Sequence, residues 1–496
     1  MTVRLRPLTA LVAVGLVLMA TLACTDDMEY SRDPRHTLTF SHDTIAFDTL
    51  FTHVGSSTAA FKVLNKTSAH LLLSDVRLAG GWQSPFRVNV DGRYDTRWTD
   101  VEVRAGDSIW VFVEATLPNT DGDYIYATRD SLLFTLASGV SQKVLLTASG
   151  WNAVELRGVT LRTDTTLLGS RAYVIFDSLV VSAGHTLTVE PGTVLCFHDR
   201  ASLLVDGTVH AAGTLDEPIV WRGDRLDYLL TNLPYDRVDG QWGGIALRRG
   251  STGNVFTHCD IHSSSFGIRA EGSADAESLL TLENTTIHNT TLHGLQLTLT
   301  SGHAYNCQFT NAGGHCATLL GGTFDFLHCT FANFYWRYGQ GTALDIANIR
   351  GDTLFPLAVT FTNCIVTGRS ADELSGQVVE VRDSTGAVTS SADYLFSHSL
   401  LNTPRVENDH YQHITWESPD STVWGAAHFV NATNIYQGCD FRLLPLSTAR
   451  GIGTDAFLSL CPLDKLGTAR TDTIDAGCYQ LPRNGQVEEN SPNSKL

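Results

Sequence analysis

One short phrase returns six times between Val255 and Leu400, and it constrains the fold more than anything else in the chain. It reads Phe256-Thr-His-Cys259-Asp-Ile261, Leu282-Glu-Asn-Thr285-Thr-Ile287, Ala304-Tyr-Asn-Cys307-Gln-Phe309, Phe326-Leu-His-Cys329-Thr-Phe331, Phe361-Thr-Asn-Cys364-Ile-Val366 and, more weakly, Leu395-Phe-Ser-His398-Ser-Leu400. By subtraction, the centres at Cys259, Thr285, Cys307, Cys329, Cys364 and His398 are spaced 26, 22, 22, 35 and 34 residues. A recurrence of this length marks a solenoid, in which each repeat buries its apolar face only against its neighbours.

The phrase carries its own geometry. Its centre and the position two residues on share one face of a strand, because side chains alternate. The apolar position three residues before the centre is out of phase with them. A flat strand cannot bury both sets, so the chain turns a corner between them. The residue just before the centre is Asn284, Asn306 or Asn363 in three copies and His258 or His328 in two. Asn is among the non-glycine residues that best tolerate the left-handed backbone such a corner needs. Stacked copies then give an Asn/His ladder outside and a Cys/Thr, Ile/Phe/Val ladder inside.

A second ladder follows one corner on: Gly267-Ile268-Arg-Ala270, Gly294-Leu295-Gln-Leu297, Cys316-Ala-Thr318, Ala343-Leu344-Asp-Ile346 and Val379-Glu-Val381. Two to three short strands per turn, with no helical periodicity, predict an all-β chain carrying a parallel β-helix. The pattern resembles the right-handed, pectin-lyase-like β-helix family. That resemblance implies the fold; it implies an activity only where catalytic residues match, and none matches residue by residue.

The N-terminus reads as a processing signal. Arg4 and Arg6 form a basic region, Leu8 to Ala20 an apolar one, and Leu22-Ala23-Cys24 follows. This resembles the lipobox of bacterial lipoproteins, with Thr21 in place of the usual Leu, and implies lipidation at Cys24 after removal of residues 1–23. Asp26-Asp27 resembles the acidic pair that routes some lipoproteins of gram-negative bacteria to the cell surface. The expected location is therefore the outer membrane, with the lipid as the only membrane attachment.

Formal charge is −18, from 34 basic and 52 acidic residues. Losing Arg4 and Arg6 takes the mature chain to −18 − 2 = −20. Such a balance argues against nucleic acid as a partner, and against an anionic polysaccharide unless a metal bridges it.

The chain then divides in order. Residues 24–36 read as a tether. Residues 37–150 contain alternating strands punctuated by Gly80-Gly81 and Asp121-Gly122, which predicts a β-sandwich. The runs Asp43–Leu50, Ala60–Lys66 and Ile109–Val113 resemble the immunoglobulin-like accessory domains of bacterial surface proteins. Asp121 and Asp123 are weighed as calcium ligands against a plain solvated turn. Residues 151–430 form the β-helix, with a loop leaving it over 224–241. Residues 431–480 are expected to cap its open end, and 481–496 to be a disordered tail.

Cys259, Cys307, Cys329 and Cys364 share the inward ladder position. Stacked residues lie about 4.8 Å apart with parallel Cβ vectors, too far for disulfides, so buried free thiols are expected there. A disulfide between two of Cys439, Cys461 and Cys478 stays open.

Three sets of residues could carry function. The insertion at 333–341 presents Tyr335, Trp336, Arg337 and Tyr338 beside Phe334, flat faces and a hydrogen-bond donor suited to sugar rings. Asp345 and Glu380, if on adjacent rungs, would place two carboxylates near 5 Å, compatible with calcium or with acid/base work. Arg269, about three rungs away, is too far to serve that pair as a base. His262 and His288 occupy equivalent positions in neighbouring copies, as metal ligands or as a polar position the repeat simply retains.

With no workable catalytic set, the expectation is a non-catalytic surface lipoprotein whose solenoid binds a polysaccharide or a surface protein. It needs no cofactor, calcium being the one ion the carboxylates would take. The alternatives are a polysaccharide lyase or glycoside hydrolase of the β-helix class, and a structural spacer.

Overall fold

The computed structural model describes residues 29–120, 125–169, 171–272, 280–337, 339–382, 385, 388–390, 392–471 and 473–482. Cys24, Asp121, Asp123, Tyr338 and the tail beyond 482 lie outside the described residues. The chain divides into two compact units, Met1–Asn119 with Ile125–Gly150, and Thr120–Tyr124 with Trp151–Leu496.

The first unit is a β-sandwich. Its five-stranded sheet runs Thr39–Phe40, Ala59–Leu64, Ser108–Ala115, Phe86–Val90, Arg93–Asp95, with every neighbour antiparallel. The six-stranded sheet is built on Thr44–Phe51, Ser141–Trp151, Ile125–Leu136 and Leu71–Leu78, the last also pairing Arg97–Trp98 and Val101–Val103. Alternation sets the core directly. In Ser108–Ala115, Ile109, Val111, Val113 and Ala115 point inward and are buried, while Trp110 and Phe112 point out.

The second unit is a parallel β-helix with three sheets. Each coil passes from a strand before the corner to one after it, then to a third. Asn254–Thr257, Cys259–His262 and Ile268–Glu271 form one such coil, and Leu280–Glu283 and Thr286–Thr290 begin the next. Neighbouring coils pair in parallel and in register, as in Phe256↔Leu282, Ile261↔Ile287 and Ala270↔Leu297.

The corner lies where the repeat places it. His258, Asn284, Asn306, His328 and Asn363 all have φ between 47° and 55°. Only short polar side chains and rings that bond locally hold this left-handed conformation without large cost. Inside, Thr285, Cys307, Cys329, Cys364, Ile287, Phe309 and Phe331 are fully buried. Phe326, Phe361 and Phe396 stack in sequence, with ring centroids 4.9 and 4.5 Å apart. Every described cysteine is free, so the ladder thiols act as small apolar groups and Cys439, Cys461 and Cys478 form no disulfide.

Two registers differ from expectation. In the weak sixth copy His398 is not the ladder centre: Phe361 pairs Phe396 and Ile365 pairs Leu400, which puts Ser399 beside Cys364 and His398, φ 51°, at the corner. The histidine takes the corner because His258 and His328 do, and the small hydroxyl goes inside. On the third sheet Leu344 and Asp345 pair Leu374 and Ser375, not Val379 and Glu380. Leu374 supplies the apolar side chain that continues the inward row below Leu344, whereas Val379 is drawn off to hydrogen-bond Asn348 through both its N–H and its C=O.

Most of the segment expected as an end cap runs along the flank of the solenoid. The backbone oxygens of Thr454 and Leu463 accept from Asn363 and Asn306, and Tyr479 donates to Gln308 at 2.7 Å. The reason is on the outer face after the corner. Ala332, Ile365 and Leu400 point outward there and are buried with Phe334, Phe429 and Phe441 in a small second core.

Candidate functional site

The strand Cys259–His262 begins immediately after the corner residue His258. Cys259 and Ile261 point inward, so Asp260 and His262 share the outer face, with His288 on the next rung directly beside His262. The two imidazoles stack with centroids 4.9 Å apart and planes 29° from parallel. Asp260 reaches between them: its Oδ1 lies 3.2 Å from His262 Nδ1 and 3.1 Å from His288 Nε2.

The loop 224–241 closes one side. It leaves the coil after Ile219–Gly223, forms a hairpin between Tyr228–Leu230 and Leu233–Pro234, and places Asp236 in the single turn Tyr235–Arg237. Asp236 Oδ1 is 2.8 Å from His262 Nε2 and 2.9 Å from the Arg222 guanidinium. Two residues at a second left-handed corner, Ser263 and Asn289, pin the loop: the Ser263 hydroxyl donates to the Asp236 carbonyl, and the Asn289 amide to Arg237 O at 3.2 Å.

The result is a row in which basic and acidic side chains alternate, Arg222, Asp236, His262, Asp260, His288. Arg222 and His262 are buried, and Asp236, Asp260 and His288 are partly open. The His262 and Arg222 side chains are 6% and 7% exposed, those of His288 and Asp260 23% and 40%. Burial alone would strip the proton from His262. The charges of Asp236 and Asp260, with their hydrogen bonds, outweigh it and raise the imidazolium to about 10. Burial likewise opposes ionisation of both carboxylates, and the facing cations overcome it, holding Asp236 and Asp260 below the usual carboxylate range.

Three donor atoms, one each from Asp260, His262 and His288, lie within 4.8 Å of one another and could hold a divalent ion. A tetrahedral site with bonds of about 2.0–2.2 Å has edges of roughly 3.3–3.6 Å. The two edges from Asp260 fall only slightly short of that, and the edge between the two imidazoles lies within 4.8 Å. Asp236 would then keep the proton of His262 on Nε2 and leave Nδ1 for the ion, the usual way a carboxylate behind a metal ligand sets its tautomer.

This cluster corrects the expectation that the chain does no chemistry. Polar residues retained merely to keep a repeat in step would be solvated singly. These are gathered across two rungs and a loop, three of them partly open to solvent. The sequence offers His262 and His288 as candidate ligands, and it is Asp260 and Asp236 that the structure adds to them.

The other expected site residues are dispersed. Asp345 bonds Ser375 at 2.8 Å and Thr318 at 3.2 Å, and Glu380 lies outside that row, exposed, so the two do not form a pair of stacked carboxylates. Tyr335 is 1% exposed and cannot offer a face to a sugar: its hydroxyl donates to Asp239 Oδ2 at 3.0 Å. Arg337 pairs with the same carboxylate at 2.6 Å. Trp336 remains exposed, at 48%. Asp239 thus ties the aromatic insertion to the loop that carries Asp236.

A family model described as "Right handed beta helix region" matches residues 236–335, the stretch that holds Asp236, Asp260, His262 and His288. No curated protein matches the chain. Among solved structures, the chain is similar over 23% of its length to the VesB protease of Vibrio cholerae, at 16% identity and TM-score 0.17. It covers 31% of that protein. Similarity to a family 123 glycoside hydrolase from Clostridium perfringens spans 24% of this chain and 30% of that one, at 6% identity and TM-score 0.18. The chain therefore spans less than a third of either. A family 28 exopolygalacturonase from Yersinia enterocolitica aligns over 72% of this chain and 90% of its own, at 10% identity and TM-score 0.13. Scores this low carry no argument about activity.

Proposed function

We propose that this protein is a metal-assisted enzyme that cleaves an acidic polysaccharide by elimination, with Asp260, His262 and His288 as its centre. The observation that carries the reading is the convergence of their three donor atoms within 4.8 Å at a partly open edge of the solenoid wall.

Ligand chemistry favours a transition ion. Two imidazole nitrogens and one carboxylate with open positions suit zinc, whereas calcium prefers an all-oxygen shell. Such an ion would supply the positive charge that a chain of formal charge −18 otherwise lacks for a uronate, and would acidify the C–H beside the sugar's carboxylate. In the elimination that proton passes to a solvent base, the C–H electrons form the new C=C bond as the glycosidic C–O bond breaks, and the departing oxygen takes a proton from water. Arg222 and Asp236 hold His262 in place, and Asp260 orients His288. Elimination fits better than hydrolysis. A glycosidase needs one protonated carboxyl at neutral pH, and both carboxylates here are held below their usual range. Trp336, anchored through Arg337 and Asp239 beside the same loop, is the aromatic that remains available to a neighbouring sugar ring. The Leu22-Ala23-Cys24 junction supports lipid attachment at the cell surface, where such a polymer would be met.

The test uses the full chain, stripped of metal and reloaded with zinc, manganese or calcium. Unsaturated-uronate absorbance is followed on polygalacturonate and alginate, and bound metal is counted. We expect one ion per chain and turnover, both lost in His288→Ala. Absence of unsaturated product with every ion, or equal product from His288→Ala, would sink the proposal. New reducing ends without unsaturation would replace elimination by hydrolysis.

A further inference from the structure

The outer face of the five-stranded sheet in the N-terminal unit carries large aromatic side chains that the sandwich core does not use. Directly paired residues of neighbouring strands point to the same face. Ala60 pairs Phe112, Phe112 pairs Asn89 and Asn89 pairs Tyr94, one row across four strands; Lys62 pairs Trp110 in the next row. Trp110, Phe112 and Tyr94 are 46%, 38% and 63% exposed. The Trp110 and Phe112 rings lie nearly parallel, with centroids 6.1 Å apart and planes 21° from parallel.

Two further observations give this face a chemistry. Asn89 lies between Phe112 and Tyr94 and is 9% exposed, yet its Oδ1 has no hydrogen-bond partner among the described residues. A buried acceptor left unpaired costs free energy unless a ligand satisfies it. Lys62 extends over the Trp110 ring at 4.7 Å and makes no ion pair among the described residues. Flat rings about 10 Å apart across two strand spacings, an acceptor between them and a free ammonium at the edge match a short run of sugar rings. The rings take the apolar sugar faces, the acceptor a hydroxyl, and the ammonium a carboxylate. A protein partner would be expected to meet aliphatic side chains as well, and the only aliphatic outward residue in these rows is Ala60.

We propose that this face is a binding platform for an acidic polysaccharide. Tyr94, Trp110 and Phe112 lie under sugar rings, Asn89 accepts a sugar hydroxyl and Lys62 pairs with a uronate. The platform shares no residue with the Asp260, His262 and His288 centre and stands whether or not that centre turns over.

Affinity electrophoresis of the full chain, in gels containing polygalacturonate, alginate or a neutral β-glucan, tests it. At least one acidic glycan should retard the protein. The double variant Trp110→Ala/Phe112→Ala should weaken that binding about tenfold or more. Lys62→Ala, a surface change that leaves the core intact, should weaken it and reduce its salt dependence. The double variant should keep any turnover of a short acidic oligosaccharide that the native protein shows. No retardation by either acidic glycan, retardation by the neutral glucan alone, or retardation unchanged in both the double variant and Lys62→Ala would each overturn the proposal.

Discussion

Replacing His262 by Gln should flatten the dependence of solenoid stability on alkaline pH. Glutamine can still donate a hydrogen bond to a neighbouring carboxylate, but it carries no titrating proton. In the fold the His262 imidazolium is held up to about 10, from an ordinary value of 6.5. A raised value means the folded chain binds that proton more tightly than the unfolded one. The stabilisation is therefore complete below pH 6.5 and is lost as pH climbs towards 10. At about 1.36 kcal/mol per pKa unit, the shift has a ceiling on the order of 5 kcal/mol. The Asp236 and Asp260 side chains are 32% and 40% exposed, and solvent screens their charges, so roughly 2–4 kcal/mol is the expected loss. The two carboxylates act in the opposite direction: held low in the fold, they stabilise it above the ordinary carboxylate value and lose that contribution as pH falls through their folded values. Urea unfolding of chelator-treated protein between pH 6.5 and 10 measures the alkaline limb, with the transition of the solenoid resolved from that of the sandwich. Burial also raises the solenoid's thiols above their ordinary value of 9.0, so both proteins lose stability as unfolded cysteines ionise towards pH 10, and His262→Gln should lose roughly 2–4 kcal/mol less than the native protein over the same range. Equal slopes in the variant and the native protein would show that His262 is not held as an imidazolium and would refute the charge row.

Phe309 is fully buried and stacks on Phe331 at 5.1 Å, so Phe309→Ala should cost about 3–5 kcal/mol, read as a lower urea midpoint. Asn363 has φ 55°, and its side chain also bonds His328 and both the N–H and the C=O of Thr454, so Asn363→Gly should lose those three bonds alone and Asn363→Ala should cost about 1 kcal/mol more, the added strain appearing as a further drop in melting temperature. Cys24→Ala should abolish palmitate labelling and release the protein from the membrane fraction; unchanged labelling would remove the anchor.

The solenoid was legible because its repeat is dictated locally. Alternation decides which of Cys259, Asp260 and Ile261 points inward, and a left-handed corner admits few residue types, so the phrase reports both burial and bend. Legibility failed where copies degrade. The shift of His398 by one place shows that a corner histidine and a ladder centre are hard to tell apart once the cysteine is gone. Glu380 was misplaced for a related reason: Val379-Glu-Val381 alternates as well as Leu374-Ser375 does, and only the side-chain bonds of Asn348 to Val379 decide between them. The flank packing of the C-terminal segment was also hidden, although outward Ala332, Ile365 and Leu400 signalled an apolar strip in need of cover.

The chemical centre was half legible. His262 and His288 recur at one phrase position, and Asp260 lies two residues before the first, so the strand period alone puts all three on the outer face. What the repeat could not show is Asp236. It comes from an excursion with no periodicity, and its contact with His262 depends on Ser263 and Asn289, whose left-handed backbones let their side chains bond the turn at Tyr235–Arg237. Asp236 decides how a metal would compete with protons. With two carboxylates around it, His262 is a cation, so a metal taking Nδ1 must first displace a proton. Metal affinity should therefore rise with pH until His262 gives up its second proton unaided, near its raised value of about 10. Removing Asp236 alone would lower that value, weaken the pH dependence and leave the three donors on their strands. The loop thus sets how strongly the ion competes with protons, and the repeat sets where it would bind.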